Sequence, residues 1–352
     1  MLVVRLGAMG DVLHAMPAVA ALRAQLPECH VGWVIEPRWA PLLKSDANAA
    51  PHTPAMPLVD AVHMANARGW ARQPLVPETW RAMRALRSEL QAQRYDLAID
   101  LQGAVRSALI GRASGAELAG EAEPREGPAR WLFQQRVRTW GVHVIEQAAE
   151  VVAGATGLHL KPELASLPVD CAAEARVAAM LPDAKPLVLL HPGAGWGAKR
   201  WPAERYGRVA AELASRGYSV VVNCAPGEET LALDVARTSG GAAREVATDM
   251  SELIAMTRRC ALVIGGDTGP AHLACALGKP IVGIYGPTDP ARNGPWGVPF
   301  RVLRHPESRR DHARRSAPEV GLLTIEPEEV LVAVDELLGA EGRLAGRPAV
   351  QA

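Results

Sequence analysis

The chain has 352 residues, 49% apolar and 22% charged, with 38 basic and 38 acidic side chains and a formal net charge of zero. That balance excludes a disordered chain and leaves no electrostatic footprint for nucleic acid, while the length suits two domains of roughly 150 residues rather than one core. No uninterrupted apolar run approaches the roughly 18 residues of a spanning helix, and Cys29, Cys171, Cys224, Cys260 and Cys275 read as reduced, buried thiols, so a soluble cytoplasmic protein is expected.

In chain order, LVVRL (2–6), VGWVI (31–35) and DLAID (96–100) are strand-like runs. Between them, Val12, Leu13, Met16, Val19 and Ala20 recur at helical spacing, as does the stretch from Glu78 to Gln93. Prolines and polar residues in LHLKPELASLPVD (158–170) break both periodicities and mark a seam. The pattern then restarts with PLVLLH (186–191), a helix from Ala203 to Arg216, YSVVVN (218–223), a helix after Gly227, ALVIGG (261–266) and PIVGIYG (280–286). An amphipathic helix, EPEEVLVAVDELLG (326–339), precedes a tail expected to be disordered over 341–352. The expected fold class is α/β: two Rossmann-like, doubly wound parallel-sheet domains, 1–165 and 166–340, facing a central cleft.

Chemistry concentrates in loops at the carboxyl ends of these strands. In VIGGDTGPAHLACALGKPIVGIYGPTDP (263–290) a strand leads to Asp267 or Thr268 as helix cap, Pro270 in the first turn and Gly278 as the stop. The free amides and dipole of that helix start suit a phosphate. HPGAGWGAKRWP (191–202) formally fits the dinucleotide fingerprint with Gly193, Gly195 and Ala198. Its helix starts only near Pro202, however, and YSVVVN ends in Asn223 rather than an acid. What remains is a flexible loop whose Lys199 and Arg200 could close over a diphosphate, or stay on the surface. In CAPGEET (224–230), Glu228 or Glu229 could hold ribose hydroxyls or simply complement a helix dipole.

Asp11, in RLGAMGDVLHAMP (5–17), stands where the first strand gives way to the first helix. It is either a helix cap or a catalytic carboxylate, with Gly7 and Gly10 leaving room for a substrate. His14, one turn on, orients it or is a core histidine. Two basic stretches, Arg125 with Arg130, Arg136 and Arg138, and the run from Arg301 to Arg315, are solvated faces or sites for a phosphorylated partner.

MGDVLHAMP, GGDTGPAHLACALGKP and YGPTDP, with DLQGAVRSALIGR (100–112) and REGPARWLFQQRV (125–137), resemble the lipopolysaccharide heptosyltransferases of glycosyltransferase family nine. The resemblance implies the GT-B architecture, an acceptor-binding N-terminal domain and a donor-binding C-terminal one. It implies inverting, metal-free transfer of L-glycero-D-manno-heptose from ADP-heptose to the Kdo of Kdo2-lipid A, without a cofactor, beside the inner membrane leaflet. On matching positions Asp11 would be the general base, Lys199 would hold the diphosphate and Glu229 the ribose. Met250 would lie beside the adenine, Asp267 would bind heptose hydroxyls, and Thr268, Gly269 and His272 would complete the phosphate pocket. Gly193 and Ala194 stand where other members place hydroxyl residues, leaving backbone amides to meet the donor. Gly10, His14, Arg106, Arg112 and Arg125 would serve the acceptor. A related transferase using another nucleotide sugar or surface-glycan acceptor, or a non-catalytic nucleotide-sugar binder, is the alternative.

Overall fold

A computed structural model of the chain describes residues 1–181, 185–311 and 315–345. They form two compact units, Met1–Cys171 and Ala172–Ala352. The first unit runs β1 (Leu2–Val4), α1 (Met9–Gln25), β2 (Gly32–Ile35), β3 (Ala61–Met64), α2 (Ala67–Arg72), α3 (Pro77–Ala92), β4 (Leu97–Asp100), α4 (Val105–Ala113), β5 (Glu117–Glu121), β6 (Gln135–Val137) and α5 (Val144–Thr156). The second runs α6 (Cys171–Met180), β7 (Leu187–His191), α7 (Ala203–Ser215), β8 (Ser219–Cys224), α8 (Glu229–Thr238), β9 (Ala243–Ala247), α9 (Met250–Arg259), β10 (Leu262–Gly266), α10 (Gly269–Ala276), β11 (Ile281–Ile284), α11 (Pro290–Asn293), β12 (Phe300–Leu303) and α12 (Pro327–Ala345).

Each unit holds one six-stranded parallel sheet, ordered β3-β2-β1-β4-β5-β6 in the first and β12-β11-β10-β7-β8-β9 in the second. Counted within its own unit, each sheet has the order 3-2-1-4-5-6, so the order reverses between β1 and β4, and between β7 and β10. Ligands in doubly wound sheets bind at that reversal, beyond the carboxyl ends of the strands. This is the α/β, Rossmann-like fold class the sequence implies.

The central strands are legible because both of their faces are covered: Leu2, Val3, Val4, Val188, Leu189, Leu190, Val263 and Ile264 are completely buried. In the second unit, alternate residues feed two cores. Val188 and Leu190 pack with α7, α8 and α12, and Leu187 and Leu189 with α6, α9 and α10. Helix α1 buries Val12, Leu13, Met16, Val19 and Leu22, as its spacing requires. The final helix continues to Ala345, further than expected, and residues 346–352 lie outside the described residues. The cysteines correct one expectation: Cys171 is exposed and Cys29 half-buried, while Cys224, Cys260 and Cys275 are buried. All five are free thiols. No helix among the described residues is long and apolar enough to cross a membrane.

Candidate active site

In the second unit, the loops after β7 and β10 flank the order reversal. Residues Gly197–Lys199 form a single tight turn rather than the flexible loop expected from the glycines. The Ala198 amide donates to the Arg315 carbonyl at 3.0 Å, and a Cβ at Gly197 would collide with the Ser316 carbonyl. Beyond the turn, Trp201 is buried edge-on against Tyr206, and its indole N–H donates to the Ile325 carbonyl at 3.0 Å. The turn therefore aims Lys199 inward, with its side chain only 10% exposed.

Lys199 Nζ lies 2.6 Å from Asp267 Oδ2 and 4.6 Å from the centre of the Trp196 ring. The other carboxylate oxygen of Asp267 lies 3.2 Å from His272 Nε2. Burial raises the Asp267 pKa, but the His272 hydrogen bond and the charges of His272 and Lys199 outweigh it and hold the carboxyl well below the usual range. Asp267 is thus an ionised anchor with both oxygens engaged. Thr268 takes the cap position of α10 without a side-chain cap bond. With Pro270 in the first turn, the amides of Gly269 and Ala271 make no hydrogen bond among the described residues. An ammonium and an uncapped helix start side by side form an anion site.

The glycines of the lysine loop have other work than a dinucleotide turn. A Cβ at Gly193 would overlap the Glu228 carboxylate, which is 3.2 Å from Arg200 Nη2. Helix α7 begins at Ala203, well past the glycines, and the Asn223 amide donates to the Val246 carbonyl and Thr248 Oγ1. The dinucleotide reading therefore fails on geometry. Glu229, the exposed member of the acidic pair, accepts the Gly227 amide at 2.9 Å at the start of α8. Met250, half-buried, opens α9 at the carboxyl end of β9, behind a reciprocal cap between Asp249 and Glu252.

In the first unit, Asp11 is not the N-cap, which is Ala8, but its side chain supplies the N3 half of a capping box. It is the third residue of α1, and its Oδ2 accepts the Ala8 amide at 3.0 Å. Its Oδ1 lies 3.0 Å from Arg5 Nη2, while Arg5 Nε donates to the Asp11 carbonyl at 3.1 Å. Arg5, a charge at the end of an apolar strand, went unnoticed in the sequence, although that oddity was its signal. Asp11 remains 39% exposed, with lone pairs open to a substrate. The neighbouring loop after β4 is pinned by Asp100, which accepts the Gln102 and Gly103 amides and the Ser107 hydroxyl. Gln102 Oε1 in turn accepts the Leu6 amide at 3.1 Å, tying the two loops at the order reversal together.

The expected acceptor residues divide. Gly10 is beside Asp11 in the first turn of α1, whereas His14 is buried, edge-on to His143 with ring centres 5.8 Å apart. Arg106 is the second residue of α4, and the Arg125 backbone packs against Gly103 just before the helix. Arg112 lies in the last turn of α4, at the opposite end of the helix. Of the basic stretches, 301–315 is largely occupied within its own unit: Arg301 pairs with Glu336, Arg310 with Asp289 and Arg315 with Asp311, while Arg304 donates to the Gly286 and Ser308 carbonyls. Residues 312–314 lie outside the described residues.

Two doubly wound parallel-sheet units in tandem, one with a phosphate-ready switch point, define the GT-B class of nucleotide-sugar transferases. The model for glycosyltransferase family 9 (heptosyltransferase) matches residues 83–320. Lipopolysaccharide heptosyltransferase 1 of Escherichia coli K12 is 31% identical over 313 residues, 87% of this chain and 93% of that protein. The structure of E. coli heptosyltransferase WaaC with ADP superposes with a TM-score of 0.78 at 25% identity, over 95% of this chain and 98% of that one. WaaC with ADP-2-deoxy-2-fluoro heptose gives 0.74 at the same identity and coverage. The chain belongs to glycosyltransferase family 9, the heptosyltransferases, and is a glycosyltransferase.

Proposed function

We propose that the protein transfers L-glycero-D-manno-heptose from ADP-heptose to the Kdo of Kdo2-lipid A, with inversion and without a metal ion, at the cytoplasmic face of the inner membrane. The observation that carries this reading is Lys199 beside the uncapped start of α10, at the order reversal of a Rossmann-like sheet.

In this reading residues 166–340 hold the donor and 1–165 the acceptor. Lys199 and the amides around Thr268 and Gly269 take the growing charge on ADP as the glycosidic bond to phosphate breaks. A diphosphate leaves as an anion, so stabilisation of charge rather than protonation is what this side of the reaction needs. Asp267 with His272 keeps Lys199 in place and offers its remaining lone pairs to heptose hydroxyls. The exposed Glu229 meets the ribose, since Glu228 is committed to Arg200. Met250 packs beside the adenine, and backbone amides near Gly193 and Ala194 line the loop. On the acceptor side, Asp11 removes the proton from the attacking Kdo hydroxyl, one base sufficing for inversion. Arg106 and Arg125, gathered at the start of α4, meet acidic groups of the acceptor, with Gly10 giving access; Arg112 reaches a more distant group and His14 supports α1 from within.

The test is transfer from ADP-heptose to Kdo2-lipid A by purified protein in EDTA. Release of ADP with a heptosylated product is expected. Tight ADP binding without transfer would contradict the reading in favour of a binder.

A further inference from the structure

Helices α2, α3 and α4 and the turn at Gly127–Trp131 cover one face of the first sheet, over a core containing Leu86, Leu90, Ala108 and Ala129. The outer surface of that layer is unusual for a soluble protein. Leu75 is 89% exposed, Trp80 51%, Trp131 69% and Leu109 54%. Buried Thr79, Leu86 and Leu90 define the inner side of α3. Trp80, Arg84 and Arg87, spaced i, i+4, i+7, line an outer stripe with Met83 beside it.

The charge on this surface has one sign. Between Ala67 and Arg94 there are six arginines and two glutamates. Both glutamates are occupied, Glu78 by Arg81 and Glu89 by His63. Arg72, Arg84 and Arg87 have no ion-pair partner among the described residues. Exposed tryptophan and leucine with unpaired arginines is the composition that seats a helix in the headgroup region of an anionic bilayer. Tryptophan and arginine also mark protein interfaces; here both acids of α3 are paired, so the surface offers only free positive charge around its apolar side chains, which suits an anionic bilayer.

We propose that the α2–α3 surface, centred on Leu75, Trp80, Arg84 and Arg87, docks the protein on a bilayer containing anionic phospholipid. The inference deepens the proposed function, on which it rests for the need to reach a lipid-linked acceptor. It assigns the contact to one surface of the first unit, and none of its four central residues takes part in the proposed chemistry. Arginine supplies long-range attraction, and leucine and tryptophan supply insertion, so the two halves of the patch are separable.

The test is flotation with vesicles of phosphatidylethanolamine and phosphatidylglycerol, against vesicles of phosphatidylcholine alone. The full chain, Leu75→Ser/Trp80→Ser and Arg84→Gln/Arg87→Gln are compared, with thermal unfolding to confirm that each variant folds. Wild type is expected to float with anionic vesicles only. Each arginine removed should weaken partitioning about fivefold at low salt, and the apolar pair should abolish salt-resistant binding. Transfer to detergent-solubilised acceptor should be unchanged in all three proteins. Equal binding by wild type and both variants overturns the proposal, as does equal binding to neutral vesicles. A concentration-dependent dimer that the variants disperse also overturns it, assigning the patch to a second copy. Failure of wild type to transfer to solubilised acceptor is a separate readout that strikes the proposed function instead.

Discussion

The two units share a strand order and place their polar groups at the same point of it, yet with opposite electrostatic character. At the first reversal, Asp11 is 39% exposed, steadied by Arg5 and the Ala8 amide. At the second, Asp267 is 7% exposed and grips Lys199 and His272. A half-exposed carboxylate can receive a proton from an incoming hydroxyl. A buried one with both oxygens engaged, by Lys199 and His272, is poorly placed to do so, and serves to hold those side chains. In the proposed reading, topology sets where the two acids stand, while burial and partners make Asp11 the reactive acid and Asp267 the architectural one.

If the division holds, Asp11→Asn should lower turnover by about 10²–10⁴-fold, the range for a lost general base. Lys199→Ala should cost about 10²–10³-fold, because charge on the leaving ADP loses its main partner. Steady-state rates with both substrates saturating check the pair. Equal, small effects would erase the contrast between the two sites.

Stability sharpens it further. Asp267→Ala leaves a buried ammonium without its carboxylate and should cost about 3–5 kcal/mol in urea unfolding. Asp11→Ala, removing a group more exposed and paired in solvent, should cost no more than about 1 kcal/mol.

A further contrast between the units is in pH. Burial pushes His191, at the end of β7, down to about 3 from 6.5, against the modest help of the Asn223 backbone. The unfolded chain then binds the extra proton first, so stability of the second unit falls as pH drops below about 6.5, by up to about 1.4 kcal/mol per unit. Asp100 in the first unit runs the other way. Burial raises it to about 6 against the Ser107, Gly103 and Gln102 hydrogen bonds. Its contribution is complete below the unfolded value near 3.8 and is lost as pH rises through 6. Hydrogen exchange on the full chain between pH 4 and 7 should show these opposite slopes, with His191→Asn flattening only the second.

The sequence made the inner strands legible because parallel strands covered on both faces read as unbroken apolar runs. It hid β3, β5, β6, β9 and β12: ELAGE, QRV and AREVA alternate or carry charge, as outer strands do. At the site, the loops and most of the residues stood out by type and spacing. Their partnerships did not, since Lys199 meets Asp267 only because β7 and β10 become neighbours when the strand order reverses. Arg5 escaped for a similar reason: nothing in LVVRL says that its charge turns back onto Asp11. Burial of Lys199 and exposure of Cys171 are likewise products of packing, which local pattern does not encode.

The most direct test of the division of labour is calorimetric titration of ADP into wild type, Asp11→Asn and Lys199→Ala, read beside their transfer rates. Wild-type affinity with crippled transfer is expected for Asp11→Asn, and weakened ADP affinity for Lys199→Ala. Loss of ADP affinity in Asp11→Asn to the same extent as in Lys199→Ala would contradict that division, because the acid would then be part of the donor site rather than the proton acceptor.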